Sequence, residues 1–405
     1  MQVNPFEAWV PAPGKAAAVA AVPYDVVDTA EARALASDNP ESLLHISRPE
    51  IDLPDTLDIH DDRVYAQGLR AFRSFQERGT LVREPHPCYY VYRQVMGAHS
   101  QTGVVVCCHV DDYANNIIRK HEKTRQDKED DRARHTLTLR ANIGPVFLTY
   151  RDSPPLDAAV ADVTQMPPAV DFTADDGIRH SLWRITDSLA DWTDRFNAVP
   201  LAYIADGHHR AASAWRAARQ LRAENPRHEG REEYNWFLAV LFPASHLRIL
   251  PYNRCVADLN GLDAATFLDR VARVFDVQKS ACSEPSGPRR VQMYLAGAWY
   301  TLAWPAFEAG PVDRLDVSVL QTRLLAPVLG IDDPRTSERI GFVGGIRGSG
   351  ELVNRVDSGR DAVAFSLFPV TVREMMDIAD ADQIMPPKST WFEPKLRSGL
   401  AIHAY

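Results

Sequence analysis

Between an apolar run and an alanine-rich one, the stretch YIADGHHRAASAW (203–215) sets Asp206, Gly207, His208, His209 and Arg210 side by side. Leu201 to Ala205 reads as a buried strand. From Arg210 the residues Ala211, Ala214, Trp215, Ala218 and Leu221 recur on one face of a helix. The polar motif therefore falls on a strand-to-helix turn. Gly207 permits a tight turn or the close approach of a ligand. The first helical turn offers unpaired N–H groups and positive dipole charge, which together form an anion site. His208, His209 and Arg210 add side-chain donors, and an arginine can grip a phosphate bidentately. Asp206 can hold a metal ion, accept a proton or merely cap the helix. Adjacent histidines lack the i,i+4 spacing of a helical zinc pair, which argues against zinc.

A second constellation, IIRKHEKTRQDKEDDR (117–132), follows a strand-like run at Val104 to Val110. His121, Glu122, Lys123 and Thr124 put an acid/base pair, a cation and a hydroxyl in consecutive positions. On composition alone this reads rather as a solvated charged loop. A phosphoryl-transfer site needs a base for the attacking hydroxyl, a metal ligand and cations around the phosphates. Glu122 and Asp206 can supply the carboxylates, and Lys123 and Arg210 the cations. IMPPKSTWFEPKLRSGL (384–400) carries Lys388, Ser389 and Thr390 after two prolines that stiffen the chain. It suits either a loop closing over a substrate or a strap that ties down the C-terminus. In VPYDVV (22–27), Asp25 either caps a helix or faces the same pocket. The glycine-rich GFVGGIRGSG (341–350) lacks GK[ST] and the GxGxxG order, so it is expected to be a hairpin turn.

The elements that must position these groups are legible in part. VYAQGLRAFRSFQERG (64–79) is an amphipathic helix ended by Gly79, and DTAEARALASDNP (28–40) a short helix capped by Asp28 or Thr29. AAAVAAVPYDVV (16–27) reads as a β-rich run broken by Pro23. CYYVYRQVM and TGVVVCCHV form a hairpin, GPVFLTY, IRHSLWRIT, YNWFLAVLFP and LRILPYNRCV are strands, and RRVQMYLAGAWYTLAWP is a second hairpin. DKEDDRARHTLTLRAN is helical, with Asp130 and Arg134 spaced to pair. LDAATFLDRVARVFDVQKS reads as one amphipathic helix. The texture changes near residue 258, so the chain is expected to divide into 1–257 and 258–405.

Composition bounds the rest. The 405 residues are 45 % hydrophobic and 24 % charged, enough for a sizeable core. A net charge of −9 argues against a general grip on nucleic acid. The five cysteines show no CxxC spacing and read as small buried hydrophobes of a reducing compartment. With no leader-like start and no spanning apolar run, a soluble cytoplasmic protein without a membrane partner is expected.

PYDVV, HEKT with a downstream DR and RAN, IADGHHR, LDVSVL and MPPKST.F.PKL.SGL occur together in this order. The chain thereby resembles a prokaryotic family catalogued as domain of unknown function 1015. Its DGHHR element is also similar to that of the free serine kinases built on the ParB/sulfiredoxin fold. The resemblance implies a mixed α/β protein with a ParB/sulfiredoxin-like catalytic core and a C-terminal α/β lobe. It implies a kinase moving a phosphate from ATP or ADP, with Mg²⁺, to the hydroxyl of L-serine or a related compound. Under it Glu122, Asp206 and His208 are catalytic, with Asp206 also the metal ligand. Lys123, Thr124, Gly207, His208, His209, Arg210 and Lys388 hold the nucleotide. A ParB-like nucleotide switch and a metal-dependent hydrolase are the rival expectations. The chain departs from the pattern at Ala211, Ala212 and Ser213, and at Glu129, which puts the serine acceptor in question.

Overall fold

Alternation of β-branched and aromatic residues makes Tyr89–Met96 and His99–His109 the central hairpin of a sheet, as expected. The strand His99–His109 is buried on both faces over most of its length, the mark of an interior strand. The computed structural model describes residues 1–405. They form two units, Met1–Leu247 with Pro394–Tyr405, and Arg248–Glu393. Compared with the expected division after residue 257, the strands Arg248–Leu250 and Tyr252–Val256 belong to the second unit. Residues 394–405 belong to the first. Both units are mixed α/β.

In the first unit the nine-stranded sheet runs in the order Ile118–Arg119, Ala202–Asp206, Val146–Tyr150, Trp236–Pro243, His99–His109, Tyr89–Met96, Arg179–Ile185, Val170–Thr173. The short strand Val3–Asn4 joins at Cys107 and Cys108. Ile118–Arg119 runs parallel to Ala202–Asp206, and Val146–Tyr150 runs parallel to Trp236–Pro243. The helix His208–Glu224 lays Ala211, Ala214 and Ala218 on a sheet face made by Val106, Leu148, Ile204 and Ala239. A second core gathers Leu43, Ile46, Phe72, Phe75, Leu139 and Ile402. It holds the helix Asp62–Glu77, whose N-cap Asp61 accepts the Arg63 N–H. Asp28 and Glu31 form a reciprocal capping box on Thr29–Ala36.

The second unit carries a six-stranded antiparallel sheet. Its hairpin Arg290–Leu295 to Ala298–Ala303 turns at Ala296 and Gly297, both at positive φ (46° and 78°), as a primed turn requires. No helix of the chain is long and apolar enough to cross a membrane.

Several expectations fail for physical reasons. Residues 16–19 are helical, not a strand, because alanine is the strongest helix former and Pro23 cannot donate to a ladder. The amphipathic stretch after residue 263 splits into the helix Ala264–Ala272 and the strand Asp276–Ser280, which finds a free edge beside Ala298–Ala303. Asp130 and Arg134 do not pair. Asp130 reaches Arg216 at 2.5 Å across to the neighbouring helix, and Arg134 binds Asp62. GFVGGIRGSG is not a hairpin turn but the strand Ile340–Gly344 running into the helix Gly348–Asp357. Its glycines serve close approach: a Cβ on Gly344 would meet the Trp391 ring at 2.8 Å, and one on Gly345 the Pro251 carbonyl at 2.7 Å. Cys282 is exposed, whereas the other four cysteines are buried.

Candidate functional site

Two strands that run parallel end at the same edge of a sheet. Ala202 and Tyr203 pair in parallel with Ile118 and Arg119, so the segments that follow, Lys120 to Thr124 and Gly207 to Arg210, emerge together. Glu122 Oε2 lies 4.0 Å from His208 Nδ1. The imidazoles of His121 and His208 stand perpendicular with centroids 4.6 Å apart. One donor atom each from His121, Glu122 and His208 lies within 4.8 Å of the others. The two distant motifs therefore occupy one place.

Gly207 adopts φ +92°, a left-handed conformation that sharpens the turn. No side chain caps the helix His208–Glu224, and its first turn carries no acid, so the N–H groups of that end have no side-chain acceptor of their own. Arg210 folds back over the turn, where a Cβ on Gly207 would lie 3.0 Å from the guanidinium carbon. Its Nη2 donates to Asp206 Oδ2 at 3.0 Å and its Nη1 to the Pro145 carbonyl. The Lys395 ammonium sits 3.9 Å from the other Asp206 oxygen. Burial opposes the charge of Arg210, but Asp25 and Asp206 outweigh it and hold the guanidinium pKa above its ordinary value.

Burial also keeps the two central imidazoles neutral. It pushes His208 down to about 4, with His209 and Arg210 adding to the effect and Asp206 opposing it. Burial, then His208, pushes His121 down to about 3. Two neutral imidazoles and a carboxylate form a nitrogen-rich donor set of the kind zinc and its neighbours prefer. Mg²⁺ prefers oxygen ligands in octahedral array. The surroundings of Asp206 do not fit such a role, since one oxygen accepts from Arg210 and the other faces Lys395.

The remaining expected residues fall in three places. His209 Nε2 accepts the Arg125 N–H at 3.1 Å, which fastens the second motif to the helix and engages that nitrogen. The Thr124 hydroxyl donates to Glu129, and Lys123 is exposed. Lys388 belongs to the second unit, with its ammonium 5.6 Å from the Tyr252 ring centroid. Asp25 is exposed yet close enough to act on Arg210 and His209. Beside it Tyr24 lies under the Arg132 guanidinium at 4.3 Å. Tyr24, Ser47, Arg132, His135, Arg210 and Ser213 contribute to the wall of a cavity of about 50 Å³.

The sequence offers His121 as the partner of Glu122 in an acid/base pair and gives Lys395 no role, and nothing in the spacing of HEKT and PKL shows that the two would meet Asp206 and His208. Of the departures, Ser213 and Glu129 meet between the helices Gln126–Leu139 and His208–Glu224, whereas Ala211 packs in the sheet core. Ser213 Oγ donates to the Glu129 carbonyl at 3.3 Å, and the Glu129 carboxylate takes Arg216 at 3.3 Å as well as Thr124.

A model of the family described as protein of unknown function (DUF1015) matches residues 3–318, and the chain belongs to that family. No curated protein matches it. Among solved structures, a conserved hypothetical protein from Pyrococcus furiosus aligns at 13 % identity, covering 73 % of this chain and 94 % of its own, with a TM-score of 0.36. A free serine kinase in complex with AMP aligns at 12 % identity over 73 % and 92 % of the chains, also at 0.36. SbnI with a C-terminal truncation, from Staphylococcus aureus, aligns at 10 % identity over 73 % and 87 %, again at 0.36. Likenesses at this level carry no functional argument.

Proposed function

We propose that this member of the DUF1015 family is a small-molecule kinase, transferring a phosphate from ATP or ADP to the hydroxyl of L-serine or a related compound. One observation carries the reading: Glu122 stands 4.0 Å from His208, at the uncapped start of a long helix. A base and an anion-binding helix start are thus within one substrate's reach of each other. Terminal phosphates rest on the N–H groups after Gly207. Glu122 takes the proton of the acceptor hydroxyl as its oxygen attacks phosphorus, and the bond to the leaving nucleotide oxygen breaks. Arg210 and Lys395, both drawn towards Asp206, supply positive charge where the phosphates gather.

Amino acids and small alcohols incubated with ATP or ADP, followed by mass spectrometry for phosphorylated product, test the reading. Absence of phosphate transfer across the panel overturns it. A second reading, metal-dependent hydrolysis, draws support from the His121–Glu122–His208 donor set. Stoichiometric zinc in protein purified without chelators, together with phosphoester hydrolysis that a chelator abolishes, would select it instead.

A further inference from the structure

We propose that a cavity within the second unit binds a dipolar small molecule of the amino-acid class, its anionic group at Arg254 and its ammonium at Asp316. The proposal stands whether or not the kinase reading holds, because every wall of the cavity lies in Arg248–Glu393.

The cavity measures about 280 Å³, near the lower end of the roughly 300–1,000 Å³ of small-molecule sites. Arg254 is 3 % exposed and lines it. Its Nη2 donates to the Pro387 carbonyl at 3.1 Å and its Nη1 to the Tyr252 carbonyl, and no carboxylate pairs with it. Two carbonyls orient the guanidinium but do not neutralise it, and further N–H donors remain. A buried cation without a counter-ion is costly, and burial drives its pKa down to about 10.

Asp316 lines the same cavity. Both its oxygens accept the Arg289 backbone N–H, at 2.9 and 3.1 Å. Burial, with Glu374 adding repulsion, outweighs that donor and the charge of Arg289 and pushes its pKa up to about 6. The Glu374 carboxylate is itself spent on the N-cap of Val372–Asp380, accepting from the Thr371 N–H and hydroxyl. One wall thus holds a buried guanidinium with no carboxylate partner and another a half-buried carboxylate that no side-chain cation bonds, and the two do not pair with each other. A molecule carrying both charges relieves both groups at once, whereas a singly charged one relieves one and leaves the other. Asp316 comes from the LDVSVL motif and Ser389, also on the wall, from MPPKST, two motifs that the first-unit site leaves unused.

The test is calorimetric titration of the full-length protein with each proteinogenic L-amino acid, with O-phospho-L-serine, and with propionate and 1-aminobutane as single-charge probes. At least one dipolar compound is expected to bind at one per chain, about tenfold or more tighter than either single-charge probe. Asp316→Asn keeps an acceptor for the Arg289 N–H and the same shape. It should weaken that binding about tenfold with unchanged thermal unfolding, whereas Asp206→Asn should leave it intact. Arg254→Met should abolish it, and Asp316→Asn decides the matter if that variant fails to fold. The proposal is overturned if no dipolar compound binds, if binding survives Asp316→Asn, or if it disappears in Asp206→Asn. Failure of the kinase reading is separate, since it is an absence of phosphorylated product while this binding persists.

Discussion

Glu122 Oε2 and His208 Nδ1 lie 4.0 Å apart although their motifs are far from each other in the chain. The register Ala202↔Ile118 and Tyr203↔Arg119 is what joins them. A one-residue slip of that pairing would turn the groups to opposite faces of the sheet.

Glu122→Gln keeps size and hydrogen bonding but removes the basic oxygen. Turnover with the best acceptor should fall about a hundredfold or more, while nucleotide affinity by calorimetry stays within about threefold. Equal losses in both would give Glu122 a binding role rather than a chemical one.

Arg210→Lys should harm both stability and nucleotide binding. One ammonium cannot span Asp206 and the Pro145 carbonyl as the planar fork does, which leaves a buried partner unpaired. A loss of about 1–3 kcal/mol in urea unfolding is expected, with weaker ATP binding. A variant with wild-type stability contradicts the placement of this side chain.

Gly207→Ala forces a residue with a Cβ to φ +92° and sets that Cβ about 3.0 Å from the Arg210 guanidinium. A loss of about 1–2 kcal/mol from backbone strain alone is expected, and displacement of Arg210 adds to it. Differential scanning calorimetry reads the effect. An unchanged Tm would mean that the turn accommodates a side chain.

Acid should weaken the fold from about pH 6.5 downward. Burial and Arg132 push His135 down to about 4, and burial and Arg397 push His180 down to about 3, against 6.5 for a free imidazole. Between these values the unfolded chain binds protons that the folded chain refuses, so stability falls as pH falls from about 6.5. Each histidine contributes up to about 1.4 kcal/mol per pH unit. His45, raised by its bond to Asp52, and Asp316, raised by burial, act in the opposite sense. The urea midpoint should be lower at pH 5 than at pH 7, and His135→Gln should flatten the difference. Equal midpoints at the two pH values would contradict this burial of charge-averse imidazoles.

Periodicity made the long elements legible. The helices Asp62–Glu77 and His208–Glu224 and both hairpins follow from spacing, because their apolar residues repeat at 3.6 or 2 over many positions. Short, alanine-rich or glycine-rich stretches carry no such period. Residues 16–19 and 341–350 take their form from what they pack against, and propensity summed over so few residues decides little.

The composition of the candidate site was written in the chain as well: Asp206, Gly207 at a turn, His208 and Arg210 at the start of a helix, and Glu122 in a charged loop. Which of these groups face one another was not, because strand pairing and side-chain direction depend on residues far away in sequence. Tertiary structure turned Arg210 inward to Asp206, tied His209 to the Arg125 backbone and engaged Thr124 with Glu129. It also brought His121 and Lys395 to the centre and separated Lys388 into the second unit. Sequence determines which chemistry a chain can offer through its residue types and local periods. Only the folded chain decides which charges are buried together, since burial and distance set pKa, pairing and reach.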